Sequence, residues 1–154
     1  MKTKNVLIVT GFLLTGIALV AYEKIKKMQA VFDRMSIQPS GLSNLKFGLK
    51  TISFKLGLKI NNPTNQGFYV SGGSLVTLKK VDIYFKNQFL GTANVNVTSI
   101  AIPEHSSIEI TGIPISMLTQ NVLGNVIGNQ NLDFNELTII ATLSVLGNEY
   151  IVEG

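Results

Sequence analysis

Cysteine is absent from this chain of 154 residues, histidine occurs once, and charged side chains make up only 14% of it. Without cysteine there is no disulfide, no thiolate metal site, no cysteine nucleophile and no lipidated N-terminal cysteine. A nucleophile–histidine–acid triad would have to use His105, and imidazole ligation of a metal meets the same limit. His105 falls between Pro103 and Ser106, in a predicted turn where a histidine is ordinarily a solvated surface residue. The acids Asp82, Glu104, Glu109, Asp133, Glu136 and Glu149 are scattered, and only Asp133 and Glu136 lie close together. We expect no catalytic residue, no cofactor and no metal centre.

Further patterns fall short of a ligand site. Asn129, Asn131, Asp133 and Asn135 alternate, but an EF-hand loop counted from Asn129 needs glycine at its sixth position and glutamate at its twelfth. Phe134 and Ile140 stand there. A polar loop leading into a strand, or a weak cation site of another kind, is what that leaves. Gly72-Gly73 lacks the strand–GxxxxGK–helix setting of a phosphate loop. Asn96-Val97-Thr98 is a glycosylation sequon, which acts only in a eukaryotic secretory pathway.

What the chain does have is an uncharged run from Val6 to Tyr22, preceded by Lys2 and Lys4 and followed by Glu23, Lys24, Lys26 and Lys27. A helix of that length rises about 25 Å, and the hydrocarbon core of a bilayer is about 30 Å thick. The run is short but sufficient as a membrane anchor. Val6, Leu7, Phe12, Leu13 and Ile17 supply its apolar surface, Tyr22 its interfacial aromatic, and Lys24, Lys26 and Lys27 its headgroup contacts. A cleaved signal peptide would need small residues at −3 and −1. Cutting after Ala21 places Leu19 at −3, and cutting after Val20 places valine at −1. A buried core helix, apolar all round, is the other reading. The expected setting is a single-pass protein of a bacterial or virion membrane. Basic residues flank both ends of the span, so the side that the remaining domain faces stays open.

The net charge of +4 is unevenly placed. Residues 1–60 hold ten of the thirteen basic residues against Glu23 and Asp33, whereas residues 61–154 are net acidic. Anionic lipid attracts a juxtamembrane basic cluster of this kind. The distal part has no basic patch with interleaved aromatics, so no nucleic-acid partner is expected.

Helical patterning continues past the span without Gly or Pro to Met35. Ile25, Met28, Phe32 and Met35 fall at a/d heptad spacing, and the register runs back through Ala21, Ala18, Leu14 and Gly11. This stripe is a candidate surface for self-association or for a protein partner. It could equally pack on the chain's own distal domain or lie at the membrane surface. Ser36–Gly41 reads as a breaker and hinge. Beyond it the period becomes two. Leu45, Phe47 and Leu49 alternate with polar positions, then Ile52, Phe54, Leu56, Leu58 and Ile60 do so after a break at Lys50–Thr51. Further strands are predicted near 68–70, 74–85, 89–100, 107–113, 137–146 and 149–152. Turns are predicted at Lys86–Gln88, Pro103–Ser106 and Gly147-Asn148, and a helix over Ser116–Ile127 ending at Gly128. The predicted fold is mainly β. An antiparallel sandwich with one short helix spans 42–154, behind a transmembrane and juxtamembrane helix at 1–35 and a hinge at 36–41.

Three motifs in order carry a family resemblance. FKLGLKINNPT is an alternating strand that ends at Asn62-Pro63, because Pro63 cannot donate to a sheet and holds Asn62 extended. VDIYFKNQFLGTANVNV is a strand, a tight turn and a second strand. IPEHSSIEITGIPIS is a Pro-centred turn and an Ile-x-Ile strand, and ATLSVLGNEYIVEG follows as a closing hairpin. From Ile52 to Ile115 the chain resembles the type 2 late embryogenesis abundant domain, also called the water-stress and hypersensitive-response domain. The resemblance implies a fibronectin-like or immunoglobulin-like β-sandwich with a short helix. It also implies a non-enzymatic stability, binding or membrane-associated role, often behind an N-terminal anchor. It carries over no catalytic residue. The low charge departs from the hydrophilic composition of stress-protective proteins. The function expected is therefore a membrane-anchored, non-catalytic binding or tethering module. The alternative is a structural component of a virion or envelope that links a lipid membrane to a protein shell.

Overall fold

The computed structural model describes residues 22–69, 76–126 and 136–154. Val6, Leu7, Phe12, Leu13 and Ile17 of the expected anchor, the Gly72-Gly73 pair and the polar cluster at 129–135 lie outside the described residues. Among the described residues no helix is long and apolar enough to cross a membrane.

Helix α1 covers 22–32. Period-two patterning then gives β1 (Ser36–Phe47), β2 (Thr51–Asn62), β3 (Val76–Phe85), β4 (Gln88–Ile100) and β5 (Ser106–Leu118). A short helix α2 (Thr119–Val126) precedes β6 (Leu137–Val145) and β7 (Asn148–Glu153). One sheet has the order β1-β2-β5 and the other β4-β3-β6-β7, and every pairing is antiparallel. The inner faces meet in one core. Ile52, Phe54, Leu56, Leu58 and Ile60 of β2 are all buried there, with Leu78, Ile83 and Phe85 of β3 and Ile139, Leu143 and Val145 of β6. The predicted core positions Phe54, Leu58 and Ile60 are where the alternation puts them, and Lys55 and Lys59 face water.

Two bulges flank Gly57. On one side β1 carries Ser40 as an extra residue between Pro39, opposite Leu58, and Gly41, opposite Gly57. On the other, β5 has Thr111 and Gly112 between the partners of Leu56 and Leu58, and Gly112 adopts a φ of 74°. A Cβ on Gly57 would lie 2.6 Å from Ser40 Oγ, so glycine lets the bulged strand come close. The hairpin turns at Lys86-Asn87 and Leu146-Gly147 have positive φ at both central residues, the primed geometry that suits strand twist.

Three expectations need correction. Ser36–Gly41 is no hinge but the first half of β1, paired with β2 from Ser36↔Asn61 onward. Its Pro39 and Gly41 read as breakers, yet β1 is an edge strand, where a missing donor and a bulge are both tolerated. The helix predicted from Ser116 starts at Thr119, because Ser116–Leu118 pair with Thr51–Ser53 and extend β5. Leu45, Phe47 and Leu49 alternate as a core strand would, yet all three are exposed.

Candidate functional site

The heptad stripe is divided by the fold. Phe32 is fully buried, its ring stacked on Phe68 at 5.0 Å and on Tyr150 at 4.9 Å. Met35 is buried beside it, and Met28 and Val31 are half-buried against the same core. Among the described residues of the stripe, Ile25 alone is exposed, at 39%. The expected association surface is thus consumed within the chain at Phe32 and Met35. The physical reason is that Phe68 in the segment after β2 and Tyr150 on β7 offer a large apolar stacking contact without a second molecule. Backbone N–H groups of Arg34 and Met35 donate to Val31 and Phe32, tightening the last turn and sending the chain directly into β1. Gln29 Nε2 donates to Asp33 Oδ1 at 2.6 Å.

Between α1 and the end of the second sheet runs a groove of about 490 Å³. Lys24, Ile25, Lys27, Met28 and Val31 form its helical wall, and Val145, Leu146, Asn148, Tyr150 and Gln66 the other. The walls are largely apolar and the two ammonium groups have no acid among the lining residues. Such a site suits an amphiphile or surface with anionic heads. Burial raises the Tyr150 phenol above its ordinary pKa, so it stays a neutral hydroxyl through physiological pH. Tyr22, Lys24, Lys26 and Lys27, expected at the membrane interface, are all exposed on α1.

Leu146 is the unusual wall residue. It takes a φ of 51° in a two-residue turn and is 71% exposed. Asparagine fits that position better than leucine, which is strained there without the return of burial. Leu146→Asn should therefore raise stability by about 0.5–1 kcal/mol, read as a higher denaturant midpoint with an unchanged slope. An unchanged or lower midpoint would mean that Leu146 packs on α1 more strongly than its exposure indicates.

Sequence reasoning missed the polar knot behind this groove. Asn62 is completely buried at the end of β2. Its Nδ2 donates to Gln66 O at 2.8 Å and to Pro103 O at 2.9 Å. Its Oδ1 accepts from Thr64 N–H at 3.0 Å and Thr64 Oγ1 at 2.7 Å. One side chain thus ties the 63–67 loop to the Pro103 turn. The signal was present in Asn-Pro-Thr, since asparagine readily bonds the backbone two residues on. His105 sits in the Pro103 turn as expected, exposed, with a φ of 46° and its backbone N–H donating to Thr64 O. Among the described residues no three His, Cys, Asp or Glu side chains cluster as metal ligands would.

No protein-family model matches the chain, and no curated protein does. Among solved structures it is similar to an Arabidopsis thaliana protein determined in solution, with 7% identity, 77% of this chain and 72% of that one covered, and a TM-score of 0.47. It is also similar to an Archaeoglobus fulgidus protein, with 12% identity, coverage of 74% and 94%, and a TM-score of 0.33. A calcium-binding mutant of a Bacteroides uniformis β-glucuronidase matches with 10% identity and a TM-score of 0.33, where 77% of this chain spans 12% of that one.

Proposed function

We propose that this chain is a membrane-anchored, non-catalytic β-sandwich that binds or tethers a partner at a fixed attitude to the bilayer. The observation that carries this reading is the seating of Phe32 between Phe68 and Tyr150. The 6–22 run leads straight into α1, and α1 is fastened to the sandwich by its aromatic ring and by the buried Met35. A domain meant to roam on a leash would have a polar linker here. This one has a helix whose Phe32, Met28 and Val31 pack on the core. Lys24, Lys26 and Lys27 then stand at headgroup height with the groove beside them. The resemblance to the type 2 late embryogenesis abundant domain fits the same role.

Full-length protein should stay with the membrane through alkaline carbonate extraction. A run of seventeen uncharged positions, most of them apolar, stays out of water at about 25 cal/mol per Å² of apolar surface. Recovery of the intact chain in the soluble fraction would overturn the reading. A domain freed of the span must keep α1, because a chain begun at Gly41 would lack Phe32, Met35 and Ile37 from its core.

A further inference from the structure

The two ends of the sandwich differ in character. The first turns of α1 lie beside the β6–β7 turn, close to Gln66 just past the end of β2. β2 is twelve residues long, so its start lies about 36 Å from that end along an extended strand. There the β1–β2 hairpin ends in Leu45-Lys46-Phe47-Gly48-Leu49-Lys50. Past an irregularity at Ser43/Lys46, where Asn44 takes a φ of 54°, the inner side of β1 is no longer covered. Leu45, Phe47 and Leu49 are exposed, Phe47 at 76% and Leu49 wholly. The tip is nevertheless a built turn. Gly48 N–H donates to Thr51 O at 2.9 Å, and Thr119 holds it from α2, its Oγ1 donating to Gly48 O and its N–H to Lys50 O, each at 2.9 Å. From Ser36 to Asn62 the hairpin carries four lysines and no acid.

We propose that this tip docks on a second lipid surface bearing anionic headgroups. Exposed apolar side chains alternating with lysines on a hydrogen-bonded turn can enter the acyl boundary while the ammonium groups meet phosphate. An acidic protein surface would answer the lysines but not the three apolar side chains that project between them. The proposal rests on the anchored reading only in making this lipid the second one.

The chain has no tryptophan, so Phe47→Trp places a single indole reporter at the tip. Full-length Phe47→Trp protein is reconstituted in phosphatidylcholine vesicles and mixed with protein-free vesicles containing phosphatidylglycerol and brominated acyl chains. The indole emission should move to the blue and be quenched, with little change when the added vesicles are brominated but neutral. Adding Lys46→Gln and Lys50→Gln should weaken the apparent partitioning by about 30-fold, with the circular dichroism spectrum unchanged. No quenching by anionic vesicles, equal quenching by neutral ones, or a blue shift that grows with protein density alone would overturn the proposal, the last in favour of a second copy. Flotation of the first vesicles reads the anchor separately. If the protein does not float with them, the anchored reading fails, and the same quenching measured on the free protein still decides the tip.

Discussion

Phe32→Ala should destabilise the domain by about 3–5 kcal/mol, the range for a fully buried phenylalanine that leaves a cavity behind. The ring is wholly inaccessible and contacts Phe68 and Tyr150, so truncation removes two stacked aromatic contacts together with the burial. The loss would be local in origin. Of the stripe residues within α1 itself, Met28 is only half-buried and Ile25 is exposed, so beyond Phe32 the helix is held chiefly where Met35 follows it. We therefore expect a second symptom, faster proteolysis after Lys24, Lys26 and Lys27 before global unfolding. Denaturant titration of the full chain in mild detergent measures the first effect and limited trypsin digestion the second. A cost under about 1 kcal/mol would mean that α1 is not seated in the core. For the same reason, charges placed at Met28 and Phe32 to probe association would report on folding instead.

Asn62→Ala should cost about 2–4 kcal/mol, although it removes a polar side chain from the interior. The N–H and hydroxyl of Thr64 lose their acceptor in the interior, while the part-buried carbonyls of Gln66 and Pro103 each lose one donor and keep Thr64 Oγ1 and Ser106 Oγ. Stranded buried groups carry their full desolvation cost, which outweighs the modest net worth of each bond. Asn62→Asp separates the roles. It keeps the acceptor for Thr64, donates to at most one of the two carbonyls when protonated and to neither when ionised. Burial disfavours its ionised form and raises its folded-state pKa, so the variant's stability should fall as pH rises from the unfolded carboxylate value. Thermal melts at acid and neutral pH give the sign directly. An alanine variant as stable as the parent would show that water replaces the side chain.

The sequence made the central strand and much of the sandwich legible, and the reason lies in β2. Ile52 to Ile60 alternate without interruption, and a strand buried on one face has one register that satisfies them. The Pro103 and Lys86-Asn87 turns were likewise readable from local chemistry. Edges were not. Pro39 and Gly41 break a central strand or a helix but are acceptable in β1, which pairs with β2 alone among the described strands. Leu45 and Phe47 show the converse failure, since alternation states which face a side chain shares but not whether another sheet lies over that face. The stripe on α1 was visible as a stripe, and its partner was not, because heptad spacing specifies a seam without saying what fills it. Asn62 was read for the backbone constraint imposed by Pro63, and its hydrogen bonds depend on a loop forty residues further along.

The stacking of Phe32 on Tyr150 also sets an order of events during synthesis. Phe32 leaves the ribosome early, but β7, which carries Tyr150, is made last among the described strands. Until then Phe32 has Phe68 on one side but not Tyr150 on the other, and the long-range pairing it awaits is slow to form. A chain interrupted before β7 would leave the Tyr150 side of the Phe32 ring uncovered, the kind of surface that chaperones and proteases recognise. The β6–β7 hairpin therefore works as a latch that closes over α1 only after every other described strand has been made.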